Sequence, residues 1–599
     1  FITFTTIEVL LVGSIVTAFL AMLWLAVCAL LQQTLPNELH PRAGYVFDYV
    51  VVGAGTTGCV VASLLAKYSN ATILLLEAGD KFGFFSKIPL LTTFQQQGLN
   101  DWAFHSVPQQ HSSKGLHEQR QSLPRGKGLG GSAQLNFMLH FKGNPLDFDT
   151  WDSEYNLSEW RWEAMQPFLT AGFAKPNEMV EIGVKYSKLT EAFYAAESEF
   201  VHKPWLFRRA SYTVKNGIRW SVYQRFLQPA LKNRNLKIMT NTLAKRVLLQ
   251  PDGGVGLKHL RALVVGVKDG ERENLFTIEV RKELILAAGA FQTPQLLQVS
   301  GIADKTLLQS LKIPVTHELP GVGRNLHDHL NLPLFASIDV EGPTLNQRTL
   351  LNPISIISYL FTGAGHLGNF GVLGHIDDSL NHFGLTMFGC GAIDADALML
   401  ISNFKLSHFR ALFPRYHNAT QEGFVLISTC TQPRSRGSVA ISSANMRRNP
   451  LIDPNYLSVA ADVACTIRAV RAAVALIESH SFAALRPRIH WPKITECSNF
   501  GPFERDFQTN EPSDRYLECV LRHVGLSSHH PGGSCSMGHT IDSVVDSEMR
   551  LHGVPNLRIV DASVLPAPIS GNPNSILVGM AVRGATMILR QEQQLNESD

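Results

Sequence analysis

No run of five lysines or arginines occurs in this sequence, and 53 basic against 50 acidic residues leave a formal charge of only +3 over 599 residues. The electrostatic footprint of a nucleic-acid-binding protein is therefore missing, and no nucleic-acid partner is expected. None of the eight cysteines forms a C-x-x-C pair, which removes a zinc ribbon and a thioredoxin-type motif. Internal repeats and low-complexity stretches are absent too. Charged residues are scarce, 17% against 45% hydrophobic, a balance suited to a folded globule with a sizeable core. The length allows two or three domains, or one large α/β domain with insertions.

The chain opens at Phe1, as a fragment or a chain lacking its initiator Met would. From Val9 to Leu31 come 23 residues without a charge. That is long enough to cross a bilayer as a helix and longer than the apolar core of a signal peptide, roughly 7–15 residues. Residues 1–32 are therefore expected to be an uncleaved transmembrane anchor, with a long signal peptide as the alternative. A buried core helix is disfavoured because the run has no polar face. Either leading reading sends the body into the secretory pathway, membrane-anchored or secreted. An oxidising compartment would permit a Cys497–Cys519 disulfide, while most other cysteines read as small buried hydrophobes. Asn70, Asn156, Asn418 and Asn596 each open an N-x-S/T glycosylation triplet. Residues 33–45, polar and proline-bearing, read as a linker.

The body begins "FDYVVVGAGTTGCVVASLLAKYSNATILLLEAGD". Val50–Val52 is a continuous apolar run, as in a buried parallel strand. Gly53, Gly55 and Gly58 follow as G-x-G-x-x-G, then a helical pattern, then the apolar run 73–76 ending in Glu77, 19 residues beyond the third glycine. This full context is that of a dinucleotide site. Gly53 permits the tight turn, Gly55 lets backbone approach a pyrophosphate, and Gly58 lets helix pack on strand. The helix N-terminus faces the phosphates and Glu77 a ribose. The motif does not distinguish NAD from FAD. Farther on, "ELILAAGAFQTPQLLQVSGI" predicts a strand, a small-residue turn and a helix from about Pro294.

Two further stretches raise chemical questions. "LPRGKGLGGSAQLNF", residues 123–137, is dense in glycine, but no Ser or Thr follows Lys127, so it is not a nucleoside-triphosphate loop. Such a run suits backbone laid flat against a planar ligand. "SSHHPGGSCSMG", residues 527–538, could hold a metal, a redox thiol or a basic imidazole. Adjacent histidines in an extended segment point to opposite sides, and the three or four ligands of a metal site are not spaced for it, so no metal is expected.

Taken together, these segments resemble the glucose–methanol–choline family of flavin oxidoreductases over residues 46–590, and most closely its animal, particularly arthropod, glucose dehydrogenase-like branch. "PRGKGLGGSAQLNFMLHFKG" with "DFDTW", "GAFQTPQLLQVSGI", "LPGVGRNLHDH", "HHPGGSCSMG" and "VDASVLPAPISGNPNSILVGMA" fall in the family's order. The resemblance implies an α/β fold. A discontinuous Rossmann-like FAD-binding domain would span residues 46–330, with substrate-domain insertions at about 150–235, and return at 521–592 with the catalytic residues. Residues 331–520 would form a substrate domain built on an antiparallel sheet. It implies FAD as cofactor, held by Gly53, Gly55, Gly58 and Glu77, by Gly130, Gly131, Ser132 and Asn136 along the flavin, by Ala244 at the adenine, and by Asp561 and Ala562. His530 matches the family's base and Asn572 its partner; His529 is expected to face away and Cys535 to pack. Ala133, Lys142, Ala303, His529 and Ser534 depart from the commoner family residues without removing a catalytic group.

The expected reaction is oxidation of an alcohol or sugar hydroxyl: a hydride passes to flavin N5 while neutral His530 takes the hydroxyl proton and Asn572 orients the oxygen. The small-molecule substrate stays open among glucose, choline, a diphenol precursor, a sterol or a retinoid. A non-oxygen acceptor such as a quinone is preferred to oxygen. The alternatives are a peroxide-producing oxidase, a lyase or binding protein on the same fold, and an NAD enzyme sharing only the glycine fingerprint.

Overall fold

A computed structural model of the chain describes residues 14, 17–18, 20–22, 24, 35–172, 180–181, 187–251, 258–340, 344–368, 370–391, 399, 401–500 and 512–598. Two sheets organise them. In the first, strand β1 (Tyr45–Val52) is followed by helix α1 (Thr56–Tyr68) and strand β2 (Ile73–Leu76). The order across the sheet is Leu236–Met239, β2, β1, Arg272–Leu286, Lys258–Asp269, Leu243–Pro251. The first four strands run parallel, with Val52 opposite both Leu76 and Leu286. The remaining two form an antiparallel meander. Strand Val554–Ile559 returns from the far end of the chain and pairs in parallel with the last residues of Arg272–Leu286. Because β1 and β2 are covered on both faces, Val50, Val51 and Ile73–Leu75 are fully buried, and their sequence is continuously apolar rather than alternating.

The turn between β1 and α1 is set by close packing. Gly53 has φ +99°, and a methyl group on Gly58 would overlap the Gly53 carbonyl oxygen. A methyl on Gly55 would meet only Ala287 O, at 3.9 Å, so its Cα side opens onto a cleft. Helix Gly289–Val299 begins five residues before the expected start and carries Pro294 inside it. A proline cannot donate to the carbonyl four residues back. Here that carbonyl, Ala290 O, accepts from the Ser534 hydroxyl at 2.5 Å, which offsets the loss.

The second sheet is antiparallel throughout: Arg488–Ile489, Leu330–Ser337, Gly423–Cys430, Phe383–Phe388, Val372–Asp378, Trp205–Arg209. Strand Leu526–Ser527 adds to the end of Leu330–Ser337. Each sheet has its own buried apolar cluster. The expected Cys497–Cys519 disulfide is closed. A second one, Cys430–Cys465, joins two cysteines read as packing residues and ties the end of strand Gly423–Cys430 to helix Ala460–Ile477.

Most of the Val9–Leu31 run lies outside the described residues. Its described members, Ser14, Thr17, Ala18, Leu20, Ala21, Met22 and Trp24, are helical and exposed. Among the described residues no helix is long and apolar enough to cross a membrane, so the expected anchor finds no support there.

Gly58→Ala tests the packing of the first turn. The added methyl has only backbone to displace, at a cost of about 1–3 kcal/mol. The expected outcome is a protein that melts lower and loses its bound cofactor on gel filtration.

Candidate active site

Residues 526–532 run antiparallel to 327–331 and join the two sheets. Leu526 and Ser527 pair with Asn331 and Leu330, Ser528 N donates to His329 O, and Gly532 exchanges both backbone hydrogen bonds with His327. Between Ser528 and Gly532 the ladder opens. Three residues, His529 to Pro531, stand opposite Asp328 alone, and His529 takes φ +61°. This is a bulge, a device that re-aims side chains. It turns both His529 and His530 into the wall of one cavity, so His529 does not face away as expected.

The buried Asp328 carboxylate replaces the missing strand partner. One oxygen accepts from His530 N (2.7 Å) and His329 N (2.9 Å); the other accepts from Ser527 Oγ (2.6 Å) and the Tyr456 hydroxyl. Ser527 Oγ in turn accepts from His529 N. From the other side Arg125 Nη2 donates to His529 O at 2.7 Å.

The imidazole tautomers follow from one carbonyl. Thr431 O can only accept, so His329 Nε2, 2.9 Å away, carries a proton. Burial holds His329 below its ordinary value, hence neutral, and its Nδ1 accepts. His530 Nδ1, 3.1 Å distant, must then be the donor. The lone pair of His530 is left on Nε2, where Asn572 Nδ2 approaches at 3.1 Å. Desolvation, followed by the nearby His329, His529 and Arg125, holds His530 well below the ordinary imidazole value. Desolvation and Arg125 push His529 down to about 3.

Asn572 stands just ahead of the long helix Asn574–Ser598, which packs against α1. Thr56 Oγ1 bonds Asn574 Oδ1 at 3.1 Å, tying that helix to the first glycine turn. Two residues before Asn572, Ser570 donates from both N and Oγ to the carboxylate of Asp147, at 2.7 Å each. Burial pushes Asp147 up to about 7.

The dinucleotide residues line a neighbouring cleft. Gly53, Gly55, Glu77, Gly131, Ser132, Ala244, Asp561 and Ala562 face it. Gly58 lies beneath, packed on Gly53, and Gly130 N anchors the second glycine turn on Ala54 O at 2.7 Å. Glu77 is already engaged: its oxygens accept from Ala54 N and Gly79 N, both at 2.9 Å, which fixes it at the cleft wall. Asp561 likewise spends its carboxylate on Gly289 N, Thr293 Oγ1 and Ser563, so it clamps the turn while its neighbours face the cleft. The N-terminus of α1 has no capping side chain and no acid in its first turn, which leaves its positive end for an anion. Asn136 belongs instead to the second cavity, together with His530 and Asn572. Thr56, Arg125, Ser132 and Leu577 line both spaces.

Three groups escaped the sequence reading. Asp328 and His329 lie within the quoted "LHDH", so their signal was present but carried no role. Arg219 gave none: fully buried, it donates to Ser86 O, Ala133 O, Asn136 O, Asn136 Oδ1 and Thr92 Oγ1. All five acceptors are neutral, and desolvation pushes Arg219 down to about 9. It holds the turn that ends in Asn136.

Models of the GMC oxidoreductase family match residues 47–331 and 433–581. The chain is 55% identical to Neither inactivation nor afterpotential protein G of Drosophila melanogaster over 99% of each chain. It is 29% identical to the glucose dehydrogenase [FAD, quinone] of the same fly, over 92% of this chain and 88% of that one. Among solved structures, a formate oxidase of Aspergillus oryzae shares the fold with a TM-score of 0.74 at 21% identity, covering 93% of this chain and all of the other.

Asp328→Ala removes the acceptor for two backbone amides and two hydroxyls at once. We expect a loss of about 3 kcal/mol or more in a denaturant melt and a fall in turnover larger than the fall in cofactor occupancy. A variant with unchanged turnover and stability would contradict the bulge description.

Proposed function

The chain belongs to the GMC oxidoreductase family, and from that premise we propose that it oxidises an apolar alcohol, with His530 as base and Asn572 orienting the substrate oxygen. It is an FAD-dependent oxidoreductase acting on CH–OH groups. The residues of the cleft fit that cofactor: Gly55 leaves room at the uncapped end of α1 for a pyrophosphate, Glu77 and Ala244 border the space a nucleoside would take, and the 130–136 turn offers backbone to a flat ring. When bound there, FAD supplies the hydride acceptor.

The observation that carries the reading is the His530–Asn572 pair in the wall of the second cavity, which shares Thr56, Arg125, Ser132 and Leu577 with the cofactor cleft, with the lone pair of His530 fixed on Nε2. A hydroxyl entering from the second cavity meets Nε2, which can take its proton, and the carboxamide, whose second N–H can hold the oxygen. Both partners are positioned before the substrate arrives, which lowers the entropic part of the barrier. Leu135, Phe137, Met138, Leu139, Phe388 and Ile427 make the walls of that cavity largely apolar, which favours an apolar alcohol over a free sugar. The quinone named for the fly glucose dehydrogenase supports an acceptor other than oxygen. Two disulfides, and exposed asparagines at the 70, 156 and 418 glycosylation triplets, support passage through an oxidising secretory compartment.

His530→Ala should keep the flavin absorbance and lower kcat by about 10²–10⁴-fold, the usual worth of a general base. Stopped-flow bleaching of the flavin by an alcohol series measures this, and undiminished bleaching would remove His530 from the role. Peroxide released under air at the rate of alcohol consumption would make the protein an oxidase.

The pH dependence has a definite sign. The working form of His530 is unprotonated, and its folded value lies below the ordinary one of about 6.5. The acid limb of kcat/KM should therefore fall below pH 6.5. Stability moves with it. Below about pH 6.5 the unfolded chain binds protons that His327, His329, His529 and His530 refuse in the fold, so Tm should drop as pH falls from there.

A further inference from the structure

Helix Pro353–Thr362 has its polarity reversed. Ile354, Ile357 and Phe361, at the i, i+3, i+7 spacing of a single face, are 77%, 52% and 85% exposed, and Leu351 and Leu360 continue the stripe. The residue it buries is Tyr359, whose hydroxyl reaches Gly217 O at 3.2 Å. A helix that turns isoleucine and phenylalanine to solvent and tyrosine to the protein is built for a second apolar phase.

Its neighbours extend that face. The helix contacts residues 366–368, these contact segment Pro89–Gln95, and that segment contacts Phe84–Lys87. Phe94 in the first of these segments is 66% exposed. Trp24, a described residue of the uncharged Val9–Leu31 run, sits edge-on against Phe84 with ring centroids 4.7 Å apart. Trp24 therefore meets the body on this side. Charge agrees. No acidic residue occurs between Asp80 and Asp101 or between Glu341 and Asp377, whereas Lys81 and Lys87 lie in the first interval. The face also joins the wall of the second cavity: Phe370 stacks on Phe137 at 4.4 Å, and Gln96, two residues past Phe94, lines the same space.

We propose that this face, helix 353–362 with the 84–97 segment, docks on the surface of a phospholipid bilayer. It lies on the membrane rather than crossing it. An exposed apolar stripe, two segments that carry no acid of their own, and Trp24 of an uncharged 23-residue run beside them are what such docking requires. A self-associating face would satisfy the stripe, but nothing in it would call for the excluded acids or the adjoining run.

The test uses the full chain with an environment-sensitive fluorescent amino acid at position 361, at 354 in a second protein, and at exposed Leu275 as the control. Vesicles contain phosphatidylcholine with one-fifth or no phosphatidylserine, with and without brominated acyl chains. The expected result is a blue shift at 361 and 354 on adding vesicles, quenching by the bromines, and neither change at 275. Introducing Ile357→Glu with Phe361→Glu should abolish the shift reported from 354. Emission at 354 and 361 that stays water-like with vesicles present overturns the proposal. So does an apolar signal before vesicles are added, which assigns the face to a second copy if it grows with protein concentration, or to the Val9–Leu31 run if it does not.

Discussion

Everything at this site hangs on one buried carboxylate. The strand that carries His529 and His530 must leave the antiparallel sheet and reach the parallel one, and between Ser528 and Gly532 it has no backbone partner. An unpaired stretch of buried amides is costly, and a strand could not be expected to hold a single conformation there unaided. Asp328 supplies the acceptors a neighbouring strand would have supplied, and it does so with charge-assisted bonds to two amides and two hydroxyls. The bulge can then be a fixed shape, and a fixed shape is what brings two imidazoles into the wall of the second cavity. Beyond the bulge, Cys535 N and Met537 N bond to Ser563 O and Val564 O, so the strap ends on the turn whose clamp is Asp561.

The same economy fixes the two partners relative to each other. Thr431 O sets the tautomer of His329 and, through it, that of His530. The next residue, Gln432, donates to Asp147, which holds Ser570 and with it the approach to Asn572. Consecutive residues thus serve His530 and Asn572. Both follow directly from Cys430, which the disulfide to Cys465 ties to helix Ala460–Ile477. A strand end that positions two groups in opposite directions has reason to be pinned.

How much of this the sequence revealed depends on the range of the interaction. Strand β1, the glycine turn, α1 and β2 were legible because their signals are local: an apolar run with both faces covered, then three glycines whose spacing answers to one turn. His530 and Asn572, 42 residues apart, were named through the order of several motifs, and the structure places their nitrogens 3.1 Å apart. What stayed hidden is long-range or context-bound. Arg219 looks like any surface arginine until the turn ending at Asn136 closes around it, more than eighty residues away. Cys430 and Cys465 lie in a strand and a helix with no spacing pattern between them. His529 was misplaced because alternation assumes a regular strand, and the bulge is where regularity stops. Helix Gly289–Val299 was started late because Pro294 signals a helix beginning when nothing in the local sequence shows that Ser534 will bond the carbonyl it frees.

Keeping His530 neutral has a consequence for its strength as the proposed base. The desolvation and the nearby Arg125 that hold His530 unprotonated also make Nε2 a poorer proton acceptor than an imidazole in water. Arg125, half-buried and lining both cavities, contributes to this, and its bond to His529 O ties it to the backbone of the bulge. A weak base suffices only if the proton has another reason to leave. A nearby cation supplies one, since it favours negative charge developing on an oxygen held between Nε2 and the Asn572 amide. The arrangement therefore exchanges basicity for a fixed tautomer and a fixed field, and the arriving hydroxyl has to take the place of the Asn572 N–H on Nε2.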